Sequence, residues 1–361
     1  MSLHIGINGM GVLGRRVLRM LIENNFTIAD SPVEDLAIND PIITDINQLI
    51  YLLEHDTVYG TLKGATLQQT DNKKLIITLA NGTSISAAYA SIAYDAYGAS
   101  SGWSQVGDFF KNNGVADVLD CNGNDDYITN DILSTYALSV LACVNQGSNE
   151  VPNGVFGTER FDRSYKISCV PSADLIAASV ILEDINIRVG LVCGYATPIA
   201  SYTNLNNLQD SAFPKYADNP QVGRAGAWNI IPIKSDVKGV GLVVPELNGL
   251  IQGLGYRCGT ITGAFLELTV LTNGAMDDFI DGLTYTDGTL KSIYNERSLF
   301  QKDASFLSVS SDAIGVNSIL VNSKNFNTNN SGGYISRIGV LYDPITLQAA
   351  NALLQIVARN S

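Results

Sequence analysis

Histidine is scarce in this 361-residue chain: His4 and His55 are the only two, and none follows position 55. A histidine-based metal centre is therefore not expected, and no metal site is assigned. Cations are short as well. Lys and Arg number 22 against 35 Asp and Glu, for a net charge of −13, which argues against nucleic acid or an anionic membrane as partner. No apolar run reaches the length of a spanning helix, and no basic stretch with a long apolar core opens the chain as a signal peptide would. Five cysteines (Cys121, Cys143, Cys169, Cys193, Cys258) form an odd set without a C-x-x-C pair, the usage of a reducing, cytoplasmic setting.

What is present describes a globular protein. Hydrophobic residues make up 46% and charged ones 16%, and the length allows two domains, each with its own core. The most informative stretch comes first. The short apolar run Leu3–Ile5 leads into Gly9-Met10-Gly11-Val12-Leu13-Gly14, and a helix follows over Val12–Ile22. This strand, glycine turn and helix form a dinucleotide-binding βαβ entry. The first glycine permits the tight turn, the second lets backbone approach the pyrophosphate, and the third lets helix and strand pack closely. A second apolar strand, Leu36-Ala37-Ile38-Asn39-Asp40, ends in a carboxylate placed for the ribose hydroxyls. Its charge would repel a 2′-phosphate, so NAD is favoured over NADP. The spacing is long, so the segment Asn24–Glu34 is expected to bulge out.

Up to residue 168 the chain alternates strand-like and helix-like segments. Strands are expected at Leu75–Leu79, Ser84–Ala88, Val115–Leu119 and Ala137–Cys143, with Asn81-Gly82 turning the first pair into a hairpin. From 169 the texture changes to a helix, Ser172–Leu182, and strand-like runs at Arg188–Cys193, Gly239–Val244, Gly263–Leu271 and Ser318–Val321. Asn204–Gly226 is long and irregular, hence functional or interfacial. Ser323–Gly333 reads as a polar loop, a short helical segment is expected near Arg337, and Ile345–Val357 as an amphipathic final helix. The expected fold is α/β: a Rossmann domain of residues 1–168 and 330–361, and an α+β domain of 169–329 with a mixed or antiparallel sheet.

A set of blocks resembles the glyceraldehyde-3-phosphate dehydrogenase family in family order. They are Gly6–Arg15, Ala37–Pro41, Asp56-Thr-Val-Tyr-Gly60, Asn229–Pro232, Pro245–Gly249, Gly253–Arg257 and Asn330-Ser-Gly-Gly-Tyr-Ile-Ser-Arg337. The resemblance implies an NAD domain, a catalytic domain acting on a small-molecule aldehyde, and a homotetramer or dimer with Asn204–Gly226 at an interface. It also implies a cysteine nucleophile, a histidine base and two anion pockets. Asn330 then falls on the nicotinamide carboxamide, and Asp120-Cys121-Asn122-Gly123 stands for the family's Glu-Ser-Thr-Gly, adding Asn122 and Gly123 to the cofactor contacts.

The catalytic parts match less well. Cys169 in Ile167-Ser-Cys-Val-Pro-Ser-Ala-Asp174 aligns with the nucleophile, and Pro171, suited to a first helical turn, would place it at a helix N-terminus that favours the thiolate. A small buried core thiol is the alternative reading. The family's His-Ala-Tyr-Thr aligns with Ala200-Ser201-Tyr202-Thr203, so the base is absent. Thr203 and Arg257 remain for the anion pockets, although Arg257 and Arg224 also read as structural ion-pair partners. Asp236 intrudes where the family carries Ser-Thr-Gly-Ala-Ala-Lys. Two functions follow: an NAD-dependent aldehyde oxidoreductase of altered substrate or low activity, or a non-catalytic NAD-binding scaffold or regulatory member.

Overall fold

The computed structural model describes residues 2–70, 74–92, 100–123, 128–129, 131–144, 151–203, 206–212, 223–275, 300–301, 309–315, 319–329 and 333–360. They form two compact units, one of Met1–Phe156, Phe161–Pro171 and Gln348–Ser361, the other of Gly157–Arg160 and Ser172–Leu347. Among the described residues no helix is long and apolar enough to cross a membrane.

The first unit runs β1 (Leu3–Asn8), α1 (Val12–Glu23), β2 (Thr27–Ile28), β3 (Ser31–Asn39), α2 (Ile46–Glu54), β4 (His55–Asp56), β5 (Gly60–Thr61) and β6 (Ala65–Gln69). It continues with β7 (Lys74–Leu79), β8 (Ser84–Ala90), α3 (Ser100–Asn112), β9 (Asp117–Asp120), α4 (Ile132–Tyr136), β10 (Val140–Val144) and β11 (Ile167–Val170). The main sheet has the order β11-β10-β9-β1-β3-β8-β7-β6. From β8 to β11 all pairs are parallel, while β7 and β6 are added antiparallel. Strand order reverses at β1, so the carboxyl ends of β1, β3 and β9 surround the crevice where such sheets bind ligands. β1 puts Leu3, Ile5 and Ile7 on one face, and all three are buried. The segment expected to bulge forms a small hairpin instead, Thr27–Ile28 against Ser31–Pro32, with Asn25, Phe26, Ala29 and Asp30 all at positive φ.

Arginines fasten α1. Arg16 and Arg19 are buried on the helix's inner face. Arg16 pairs with Glu23 at 3.0 Å and lies 4.5 Å over the Tyr59 ring. Arg19 donates to the carbonyls of Leu53 (3.2 Å), Tyr59 (3.2 Å) and Gly60 (2.8 Å). Asp56 shapes that turn by accepting from the Val58 and Tyr59 amides at 2.8 and 2.9 Å. The Asp56–Gly60 block of the sequence thus presents carbonyls to a buried guanidinium.

The second unit holds α5 (Ala173–Val189), β12 (Leu191–Ser201), β13 (Ile231–Lys234), β14 (Ile251–Cys258), β15 (Ala264–Thr272), β16 (Phe300–Gln301), β17 (Ile319–Asn329) and β18 (Gly333–Tyr342). The sheet order is β13-β14-β12-β15-β18-β17-β16, mixed as expected. One face, with Ala196, Ala200, Leu266, Leu268, Ile338 and Val340, is buried. α6 (Pro344–Asn360) closes the chain, and its later turns belong to the first unit, where Gln348 donates to the Pro171 carbonyl at 2.8 Å.

Three expectations are corrected. Gly239–Val244 is not a strand: Asp236–Leu242 is a 3-10 helix. Residues 323–329 and the Arg337 segment are neither loop nor helix. They are the two arms of the antiparallel pair β17–β18, and β18 is also hydrogen-bonded along β15. That pairing keeps residues 333–347 in the second unit, whereas the sequence returned to the first domain at 330.

Replacing Arg19 by Met keeps the stem but leaves three carbonyls without their donor. The expected cost is about 2–4 kcal/mol, seen as a lower urea midpoint. A loss below about 0.5 kcal/mol would mean the guanidinium does not fasten the helix.

Candidate functional site

The glycine turn is set by two close approaches. Gly9 adopts φ +96° and donates to the Asn39 carbonyl at 2.7 Å. A Cβ there would lie 2.6 Å from Asn122 Oδ1, and a Cβ on Gly14 would collide with the Gly9 carbonyl oxygen. Gly11 differs. Its φ of −61° suits any residue, and a Cβ added to it meets nothing within 4 Å. Among the described residues no contact requires a glycine at 11. It is also the N-cap of α1, yet no side chain caps that helix, and the first turn carries no acid. The leading amides, flanked by exposed Val12 and half-buried Leu13, therefore form an anion-binding helix start with a clear approach.

Asp40 locks this cradle to the end of β3. Its Oδ2 accepts from the Met10 amide at 2.5 Å, and its Oδ1 from the Ile42 and Ile43 amides at 2.8 and 2.6 Å. Three donors still leave acceptor capacity on a carboxylate for a ribose hydroxyl. Arg15 donates to the Met10 carbonyl at 2.9 Å, and burial pulls its pKa down against the pull of Asp56 and Asp40. Behind the turn runs a polar ladder. Asn39 donates to Asn8 Oδ1 (2.9 Å), Asn8 to Asp120 Oδ2 (3.0 Å), and Trp103 and Asn122 also donate to Asp120. Asn122 and Gly123 (φ +76°) follow directly at the end of β9. Gly9 to Gly14, Asn39, Asp40, Asn122 and Gly123 are thereby brought to the carboxyl ends of neighbouring strands in one sheet. Asn330 lies outside the described residues.

Cys169 is not at a helix start, and this corrects the sequence reading. It is the third residue of β11, in parallel register with Cys143, and it is fully buried among Trp103, Phe110, Val118 and Leu141. Its amide donates to the Pro152 carbonyl and its carbonyl accepts from the Gly154 amide. Pro171 lies in the short connection rather than in the first helical turn. Ser172 is the N-cap, and α5 begins at Ala173 with Asp174 next. The N-cap serine, three residues beyond the cysteine, and the first-turn acid, five beyond it, were the signal for this start.

In the second unit, four residues share one register level across neighbouring strands: Arg257 on β14, Ala200 on β12, Ala264 on β15 and Tyr342 on β18. Registered neighbours point to the same face, about 4.8 Å apart. At the end of this row the Tyr342 hydroxyl donates to Asp174 Oδ1 at 2.5 Å. Burial drives the Tyr342 pKa well above the usual phenol value, and Asp174 adds to it. Burial also raises Asp174, opposed by the Tyr342 hydrogen bond and by Arg257, and reinforced by Asp236. Arg257 donates to the Ser201 carbonyl at 2.7 Å, and Thr203 is tied to Asn206 Oδ1 through its amide and hydroxyl at 3.2 and 3.4 Å. Arg224 pairs with Asp210 at 3.1 Å, the structural role that was one of its two readings.

Residues 3–100 match the family model described as glyceraldehyde 3-phosphate dehydrogenase, NAD binding domain, and 175–324 match the C-terminal domain of the same family. The chain belongs to the glyceraldehyde-3-phosphate dehydrogenase family. It is 28% identical over 270 residues to the glyceraldehyde-3-phosphate dehydrogenase of Echinococcus multilocularis, covering 74% of this chain and 73% of the other. It is 29% identical over 313 residues to that of Priestia megaterium, covering 84% and 85%. It is 28% identical over 320 residues to cytosolic glyceraldehyde-3-phosphate dehydrogenase 3 of Oryza sativa subsp. japonica, covering 84% and 85%. The cofactor of the first unit is accordingly NAD, and the uncapped α1 start with the open Gly11 position fits its pyrophosphate.

Gly11→Val separates ligand from fold. It should weaken NAD binding about a hundredfold while leaving the apo melting temperature within about 2 °C, measured by calorimetry and thermal shift. Gly14→Ala should lower both, because its Cβ strikes backbone.

Proposed function

We propose that this protein holds NAD but does not perform the family's thiol-based aldehyde oxidation, and serves as a non-catalytic scaffold or regulatory member. One observation carries the reading: the helix whose start would carry the nucleophile begins with Ala173. With the helix start fixed at Ser172, the family's Ser-Cys-Thr-Thr falls on Ser172-Ala173-Asp174-Leu175 and Cys169 drops out of the alignment. The base position is Ala200, equally inert and buried in β12. Covalent catalysis needs a thiolate to attack the carbonyl carbon and a base to take the proton, and two methyl groups supply neither. Loss of a positioned acid–base group alone costs about 10²–10⁴ in rate. The sulfur of Cys169 is enclosed in a packed sheet and cannot stand in. The oxidoreductase reading of altered substrate rested on that sulfur, so it is the weaker of the two.

NAD is held in this reading by Gly9, Met10, Gly11, Val12, Leu13, Gly14, Asn39, Asp40, Asn122, Gly123 and Asn330. Bound NAD supplies a hydride acceptor, while this chain's own groups orient and enclose it. A homo-oligomer accompanies the proposal. The second sheet's outer face leaves Val192, Tyr195, Ile199, Leu254 and Ile335 exposed, an apolar face suited to a second copy.

The test is turnover. Wild type should bind NAD yet form no NADH from glyceraldehyde 3-phosphate with phosphate, and Cys169→Ser should leave NAD affinity unchanged. Cys169-dependent NADH formation would sink the reading. For the assembly, Tyr195→Asp should shift the light-scattering mass toward the monomer; an unchanged mass would discard that face.

A further inference from the structure

The row that ends on Tyr342 holds more charge than a structural core requires. Arg257 stands at one end, two alanines form the middle, and Asp174 is held at the other end by a 2.5 Å hydrogen bond. Asp174 occupies the first turn of α5, where helix amides favour an anion. Asp236 lies close enough to raise the Asp174 pKa and leads the 3-10 helix packed on α5. Beside it, Ser235 is 4% exposed, and its hydroxyl has no hydrogen-bond partner among the described residues. A helix start and an arginine are the parts of an anion site, yet two carboxylates stand among them.

We propose that Asp174 is a resident anion: held on Tyr342 in the first turn of α5, its carboxylate fills from within the place where phosphate would bind, so the second unit rejects phosphate-bearing ligands. The inference rests on Ala173 being the nucleophile position, which puts Asp174 where the family has the threonine after its cysteine. Asp236 adds a second negative charge at the approach. The electrostatics are direct. A fixed carboxylate answers the helix start and Arg257 without the cost of capturing a ligand, and an incoming phosphate meets like charge in a partly desolvated setting. The ligands this unit can take are uncharged or cationic.

The probe is inorganic phosphate, read by calorimetry and thermal shift against chloride of equal ionic strength. These readouts involve neither NAD nor turnover, so their failure is distinct from failure of the non-catalytic reading. Wild type should show no phosphate-dependent change. Asp174→Asn keeps an acceptor for Tyr342 and should bind phosphate at least about tenfold more tightly than wild type. Adding Arg257→Met should remove that gain. Tyr342→Phe, which keeps the charge, should bind no phosphate. Asp236→Asn, at an exposed position, should show a smaller gain of the same sign. Phosphate binding by wild type within about twofold of Asp174→Asn, or a folded Asp174→Asn with no gain, would overturn the proposal.

Discussion

The carboxylate of Asp40 is the fastening on which the cofactor edge depends. One oxygen holds the Met10 amide of the glycine turn and the other holds two amides after β3. A single buried anion therefore fixes two segments about thirty residues apart, in the geometry a dinucleotide needs. The surrounding parts serve the same end. Gly9 bends the chain under Asn122, Gly14 brings α1 onto β1, and Arg19 fastens the helix from behind. Among the described residues of the second unit no such fastening ends at a cysteine or histidine. The equivalent convergence of helix start and strand row meets at Asp174 and Tyr342.

Much of the first unit was legible because its signals are local. G-x-G-x-x-G, the acid closing the next strand and the Asn-Gly hairpin each act within a few residues, and each produced its element. The second unit was harder to read. Polar 323–329 is a strand because β18 pairs with it, and β18 in turn is held along the distant β15, a condition that composition does not carry. Ile251–Cys258 carries two glycines within a strand, and Gly253 is there because a Cβ would run into the Ala196 carbonyl of the adjacent strand. The error at Cys169 had a specific origin. Proline is at home both in a first helical turn and just before one, and the choice moved the helix start past the cysteine.

The site divides along the same line. The binding half is built from backbone amides and glycines, whose positions follow from turn geometry and survive side-chain drift. In the proposed reading the chemical half depends on two side chains, and an alanine at each position would end it without disturbing the fold, because alanine fits a helix start and a packed strand alike.

The uncapped start of α1 has a consequence for the protein's lifetime. Serine, aspartate or asparagine at 11 would satisfy an amide that glycine leaves open, so the empty fold goes without part of its stability until a dinucleotide arrives. A ligand that binds only the folded chain raises its stability with concentration, and the folded fraction governs how much escapes proteolysis. Bound NAD thereby supplies stability that the empty fold lacks, an effect that needs no turnover at all.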